Sequence, residues 1–165
     1  DQPALDMLIK FTGLKVDFNG DQNLLTQIGM SFPLQVIRDK GIPTMKPPLM
    51  YNRETKAVMT GGYVPQGSSI RFSLPPDFDV VDTVIESAQK IKDNTLRDAD
   101  AMIVFSCIGR FSTLGPLIEA EIDGLKQVWN APLAGFFSYG EYGRTEGGDL
   151  DFHGTTCSWV ALSEK

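Results

Sequence analysis

Apolar residues recur with different periods along this 165-residue chain, and each change of period marks an element. In PALDMLIKF, at 3–11, Leu5, Leu8 and Ile9 share one side of a helix, with Pro3 suited to its first turn and Gly13 to its stop. The polar stretch DFNGDQNLLTQIG that follows carries no clear period. FPLQVIRD reads as a short strand and DKGIPTMKPP as a Pro/Gly loop. From 48 to 74 the pattern predicts a β-meander: LMYN turns through Arg53, Glu54 and Thr55 into KAVMTG, and PQGS turns again into SIRFSL.

A helical period takes over next. Val80, Val81, Val84, Ile85, Ala88 and Ile91 form the apolar stripe of a helix over 80–92, with Asp77 and Asp79 as candidate caps. AMIVFS, at 101–106, is apolar on both faces and so predicts a central strand. A second helix is expected over 114–129, with Leu114, Ile118, Ile122, Leu125 and Trp129 on one side and Asn130 ending it. APLAGFFSYGE supplies another strand, the Gly-rich GRTEGGD a loop, and TTCSWVALS a final strand. The fold class expected is α+β: a mixed sheet with an N-terminal meander and a C-terminal β-α-β-β unit, helices packed on the sheet. Neither repeats nor a break in composition interrupt 1–165, so one domain is expected, and a chain this long buries about 70% of its unfolded surface.

Strands joined by a helix run parallel, so the strands before SCIGR and SYGE should finish at the same sheet edge. Ligands of open α/β arrangements sit beyond such carboxyl ends. Arg110, with the amides of Phe111, Ser112 and Thr113, suits a carboxylate or phosphate there. Glu141 suits an ammonium, and the two residues together read as a clamp for an amino acid walled by Phe111, Phe137 and Tyr139. The plainer alternative is that Arg110 and Glu141 pair with each other and staple the loop. Cys107 offers a nucleophile, its pKa lowered by a helix N-terminus and Arg110, with His153 and Glu141 to complete a Cys/His/acid set. No cysteine-protease signature surrounds it, however, and Cys157, in a strand-like alternation, reads as a buried structural thiol.

Charge and composition narrow the partners. A net charge of −6 and a pI near 4.7 argue against nucleic acid, which needs a basic stripe. No apolar run approaches the roughly 20 residues needed to cross a bilayer. Two cysteines and one histidine are too few for a disulfide framework or a zinc site, and no cofactor or metal is expected. The chain opens at Asp1 with no signal peptide, which reads as a domain or tail of a longer cytoplasmic protein.

IVFSCIGR, a helix bearing Glu119 and Glu121, PLAGFFSYGEYG and FHGTTCSWVAL together resemble the C-terminal domain of the FIST family. FPLQVIRD, the meander and VPQGSSIRFSL look like that domain's first half, so the resemblance covers most of the chain. It implies a sensory domain of signal-transduction proteins that binds a small ligand such as an amino acid, partnered by a FIST N-terminal domain or a signalling output domain. The SC-x-x-R and F-x-x-GE spacings carry over Cys107, Arg110, Gly140 and Glu141, and the closing motif carries over Thr156. Members often have His-Asn where this chain reads His153-Gly154, which removes an amide donor and acceptor. The expected ligand-binding set is Ser106, Cys107, Arg110, Phe137, Tyr139, Gly140, Glu141, His153 and Thr156. A thiol-dependent enzyme using Cys107 and a structural interaction domain are the alternative readings.

Overall fold

Gly13 stops the first helix as its sequence position implies. Helix α1 covers Ala4–Thr12, and Gly13 adopts φ 70, the left-handed conformation that costs glycine nothing, while its amide reaches Ile9 O. In this computed structural model, which describes residues 2–75, 77, 79–95 and 98–164, the chain packs into two compact units. One comprises residues up to 75 together with 142–155, and the other 76–141 together with 156–165.

In the first unit, Leu5 and Leu8 of α1 join Leu24, Ile28, Leu34 and Tyr51 in a core. The stretch without a period contains a single π-helical turn, Leu25–Gly29, whose entry is capped by Asn23 Oδ1 accepting from the Leu25 amide at 2.8 Å. Strand β1, Leu34–Val36, lies between β2, Thr44–Lys46, and β5, Ile70–Phe72, both antiparallel to it. Strands β3, Pro48–Tyr51, and β4, Val58–Thr60, form the expected hairpin. The third strand of the expected meander, β5, pairs with β1 instead of β4. The expected Pro/Gly loop also holds β2, because Thr44 and Lys46 turn inward and a buried lysine hides the strand's apolar alternation. Two strands flank the Gly-rich loop, β8, Glu141–Arg144, and β9, Leu150–His153, paired as a hairpin.

The second unit is a three-stranded mixed sheet with helices on it. Strand β6, Ala101–Cys107, is central as its two-sided apolarity predicts, and the chain's order across the sheet is β10-β6-β7. Strand β7, Leu133–Ser138, runs parallel to β6, and β10, Cys157–Leu162, runs antiparallel. Helix α2, Asp79–Thr95, and helix α4, Leu117–Trp129, pack on the sheet through Ala88, Val104 and Leu125. The helix expected over 114–129 is α4, and a further helix that the pattern does not predict precedes it and takes Leu114. Helix α3, Ile108–Leu114, starts directly from β6 and ends at Gly115, φ 53, after which Pro116, which lacks an N–H, precedes α4. Asn130 ends α4 in the left-handed conformation.

Two glycines of this unit are required by close approach. A Cβ at Gly135 would stand 2.0 Å from the carbonyl oxygen of Val104, which is backbone and cannot turn away. At Gly124 it would stand 2.3 Å from Ile85 Cδ1, the far end of a side chain that can change rotamer. Gly135→Ala should therefore cost more stability than Gly124→Ala, about 3 kcal/mol or more against about 1 kcal/mol. Denaturant unfolding of the two variants checks the order, and equal losses would refute it.

Candidate functional site

Parallel pairing aligns the two strand ends that carry the site. Cys107, the last residue of β6, stands opposite Ser138, the last residue of β7. Residues 107–110 and 138–141 therefore leave the sheet at one edge, as the crossover implies. Cys107 keeps an extended backbone and serves as N-cap residue of α3. The first turn of that helix carries Arg110 inward, where it is buried.

A guanidinium out of water needs a partner, and Arg110 finds Glu121 on α4. Arg110 Nε donates to Glu121 Oε1 at 3.2 Å, and a terminal nitrogen donates to Oε2, so the fork grips both oxygens. Glu121 is fully buried. Its position was legible in the sequence: three residues after Ile118 and four before Leu125, it lies on the apolar stripe of its helix. The alternative pairing of Arg110 with Glu141 gives way to this one, because the helix that follows supplies a nearer acid.

Glu141 is held differently. Ser138 Oγ donates to its Oε1 at 2.7 Å and Thr156 Oγ1 donates to its Oε2 at 2.8 Å. Between Ser138 and Glu141 the chain bends at Gly140, whose φ of 145 is a conformation other residues rarely adopt. Burial pushes the Glu141 carboxyl above its ordinary 4.5, against the two hydroxyls and the nearby Arg110 charge, which act the other way. Two carboxylates thus share the neighbourhood of one guanidinium, and Glu141 is the one left without an ion pair. That arrangement suits reception of a cation or a proton.

The second unit carries further residues of three kinds. Ser106 is buried, and its Oγ has no hydrogen-bond partner in the structure. Cys107 is buried as well. Cys157, at the start of β10, has its thiol pushed up to about 12, chiefly by burial and secondarily by the Glu121 charge. The third kind is aromatic and open to water: the Phe111 and Phe137 rings meet at 5.0 Å, edge to face, and Tyr139 is 86% exposed. His153 sits on β9 in the first unit, buried, with its imidazole pKa lowered by that burial. The second unit thus carries Ser106, Cys107, Arg110, Phe137, Tyr139, Gly140, Glu141 and Thr156, to which the structure adds Ser138 and Glu121. Among the described residues no group of His, Cys, Asp or Glu is placed to hold a metal ion.

Arg110→Met should destabilise the protein by about 3–5 kcal/mol, since it strands the Glu121 charge, whereas Arg110→Met combined with Glu121→Leu should recover most of that loss. Thermal and denaturant unfolding of the singles and the double measure the coupling, and additive losses would show that the pair acts as two independent groups. For Cys157, a thiol near 12 leaves a thiolate fraction of about 10⁻⁴ at pH 8, so iodoacetamide should leave it unmodified in the folded protein and modify it once guanidinium unfolds the chain. Rapid native-state labelling at Cys157, read by mass spectrometry, would contradict that burial.

No curated protein and no solved structure gives a match to this chain. A family model, the FIST C domain, matches residues 4–144, which takes in elements of both compact units. The chain belongs to the FIST C domain family, whose members are sensory modules of signal transduction, not a known family of enzymes.

Proposed function

We propose that this chain is the ligand-sensing part of a signalling protein and binds a small molecule such as an amino acid at the carboxyl ends of β6 and β7. What carries the reading is Glu141: a buried carboxylate held by two hydroxyls, without an ion pair of its own, at the end of the strand return that also carries the exposed rings of Phe137 and Tyr139. A ligand ammonium placed against it forms the charge-assisted contact that burial makes strong. Phe111, Phe137 and Tyr139 hold the ligand's apolar part, with Ser106, Cys107 and Thr156 shaping the floor. Arg110 remains on Glu121 and contributes its positive field to the ligand's carboxylate. In this reading the protein is cytoplasmic and does no chemistry on its ligand, and a FIST N-terminal domain or a signalling output domain accompanies the chain. No helix among the described residues is long and apolar enough to cross a membrane.

Titration calorimetry against a panel of amino acids and small carboxylates tests the proposal. At least one member should give saturable heat. Glu141→Gln should weaken an ammonium-bearing ligand by about ten- to a hundredfold, the range of a charge-assisted hydrogen bond of about 1.5–3 kcal/mol. Tyr139→Ala, at an exposed position, should weaken it a few-fold while leaving the circular dichroism spectrum unchanged. Absence of saturable heat across the panel overturns the reading.

A further inference from the structure

The first unit holds a second constellation, and none of the residues argued above except His153 belongs to it. A cleft of about 450 Å³ opens between the loop after β1 and the β8–β9 hairpin, lined among others by Arg38, Lys40, Thr44, Thr145, Asp151 and His153. Its rim is set by backbone contact. A Cβ at Gly41, φ 74, would stand 2.8 Å from the Cα of Gly148 and 2.7 Å from Thr145 Oγ1, so the two loops abut as closely as glycines permit.

The floor is charged and partly withdrawn from water. Arg38 Nε donates to Thr44 Oγ1 at 2.9 Å, a terminal nitrogen of Arg38 pairs with Asp151, and Thr44 Oγ1 donates to Asp151 Oδ2 at 3.0 Å. Lys46, 1% exposed, comes from beneath with its Nζ 3.6 Å from Asp151 Oδ1, donates to the Phe152 carbonyl and lies over the Phe152 ring. Two cations therefore face a single carboxylate. His153 adds no charge, because burial holds its imidazole toward the neutral form, against Asp151 and with Lys46 and Arg38. Burial likewise lowers the Lys46 ammonium, against the Asp151 charge and with that of Arg38. Lys40, Asp39 and Asp149 line the same cleft, but they are exposed at its rim, where water and salt screen them. Counted at the floor, Arg38 and Lys46 against Asp151 leave one positive charge. Arg38 keeps 27% of its side-chain surface and, with two nitrogens engaged, has its second terminal nitrogen for a ligand.

We infer that this cleft is a binding site for a small oxyanion, a carboxylate or a phosphate monoanion, gripped by Arg38 with Lys40 at the mouth and Lys46 behind it. The shared chemistry is a compact group with two or three acceptor oxygens and one negative charge, which the guanidinium fork fits. Every residue that lines it belongs to the first unit.

His153 is the chain's one histidine, so its imidazole proton signals report on the cleft without assignment work. The experiment follows those signals by proton NMR in the untagged chain, titrated in separate arms with inorganic phosphate and with acetate, at constant ionic strength maintained with chloride. The signals should move saturably in at least one arm, with half-saturation at about 1–10 mM, and the imidazole pKa should rise at saturation because a nearby anion favours the charged form. The two arms tell which oxyanion is held. Arg38→Gln should weaken binding by about tenfold or more and Lys40→Ala by about threefold, whereas Lys126→Ala, on α4, should change nothing. A shift that never saturates and is matched by chloride overturns the proposal, as does unchanged binding in Arg38→Gln. Should Arg38→Gln lose the native spectrum, the exposed Lys40→Ala variant decides, and unchanged binding there overturns the proposal.

Discussion

Two charged side chains buried together at the start of a crossover set the terms for the second unit. Arg110 and Glu121, eleven residues apart, sit on the two helices that connect β6 to β7, and neither retains appreciable contact with water. A buried charge without its partner costs several kcal/mol, so the pair locks the helices to each other more firmly than either locks itself. The connection so fixed returns the chain to run parallel beside β6, and that return brings Ser138 opposite Cys107.

The state of Glu141 follows from the same pair. Because Glu121 takes both arms of the guanidinium fork, Glu141 receives the field of Arg110, the bonds of two hydroxyls and that of the Thr156 backbone amide. Burial then outweighs what those contacts supply, and the carboxyl binds its proton more tightly than in water. Had Arg110 turned to Glu141 instead, Glu121 would lie uncompensated in the apolar stripe of α4, a worse outcome by the same accounting of desolvation. The polar core of this unit is thus a hierarchy in which the deepest acid takes the cation and the shallower one is left receptive.

Burial of charge shapes the first unit too, with the opposite sign. Lys46 occupies an inward position of β2 and must find oxygen, which it does at Asp151 and the Phe152 carbonyl on β9. Arg38 approaches the same carboxylate from the loop after β1, so one acid answers two bases. A titratable neighbour, His153, is held toward its uncharged form by the same exclusion of water.

Periodicity alone located α1, the stripe of α2 and the central strand, since each depends on residues close in sequence facing one way. The Arg110 and Glu141 segments were placed at one sheet edge by the crossover rule, and the SC-x-x-R and GE spacings identified the family. What the sequence left undecided were choices between partners. Gly115-Pro116 was a local break overlooked within a longer apolar pattern, whereas β2 was invisible because its inward residues are Thr44 and Lys46, types that report exposure elsewhere. That β5 joins β1, that Arg110 takes Glu121 over Glu141, and that His153 shares the surroundings of Lys46 and Asp151 were decided only in three dimensions. Each is a competition among several chemically suitable groups, and distance and access to water, which no linear pattern records, determine which of them wins.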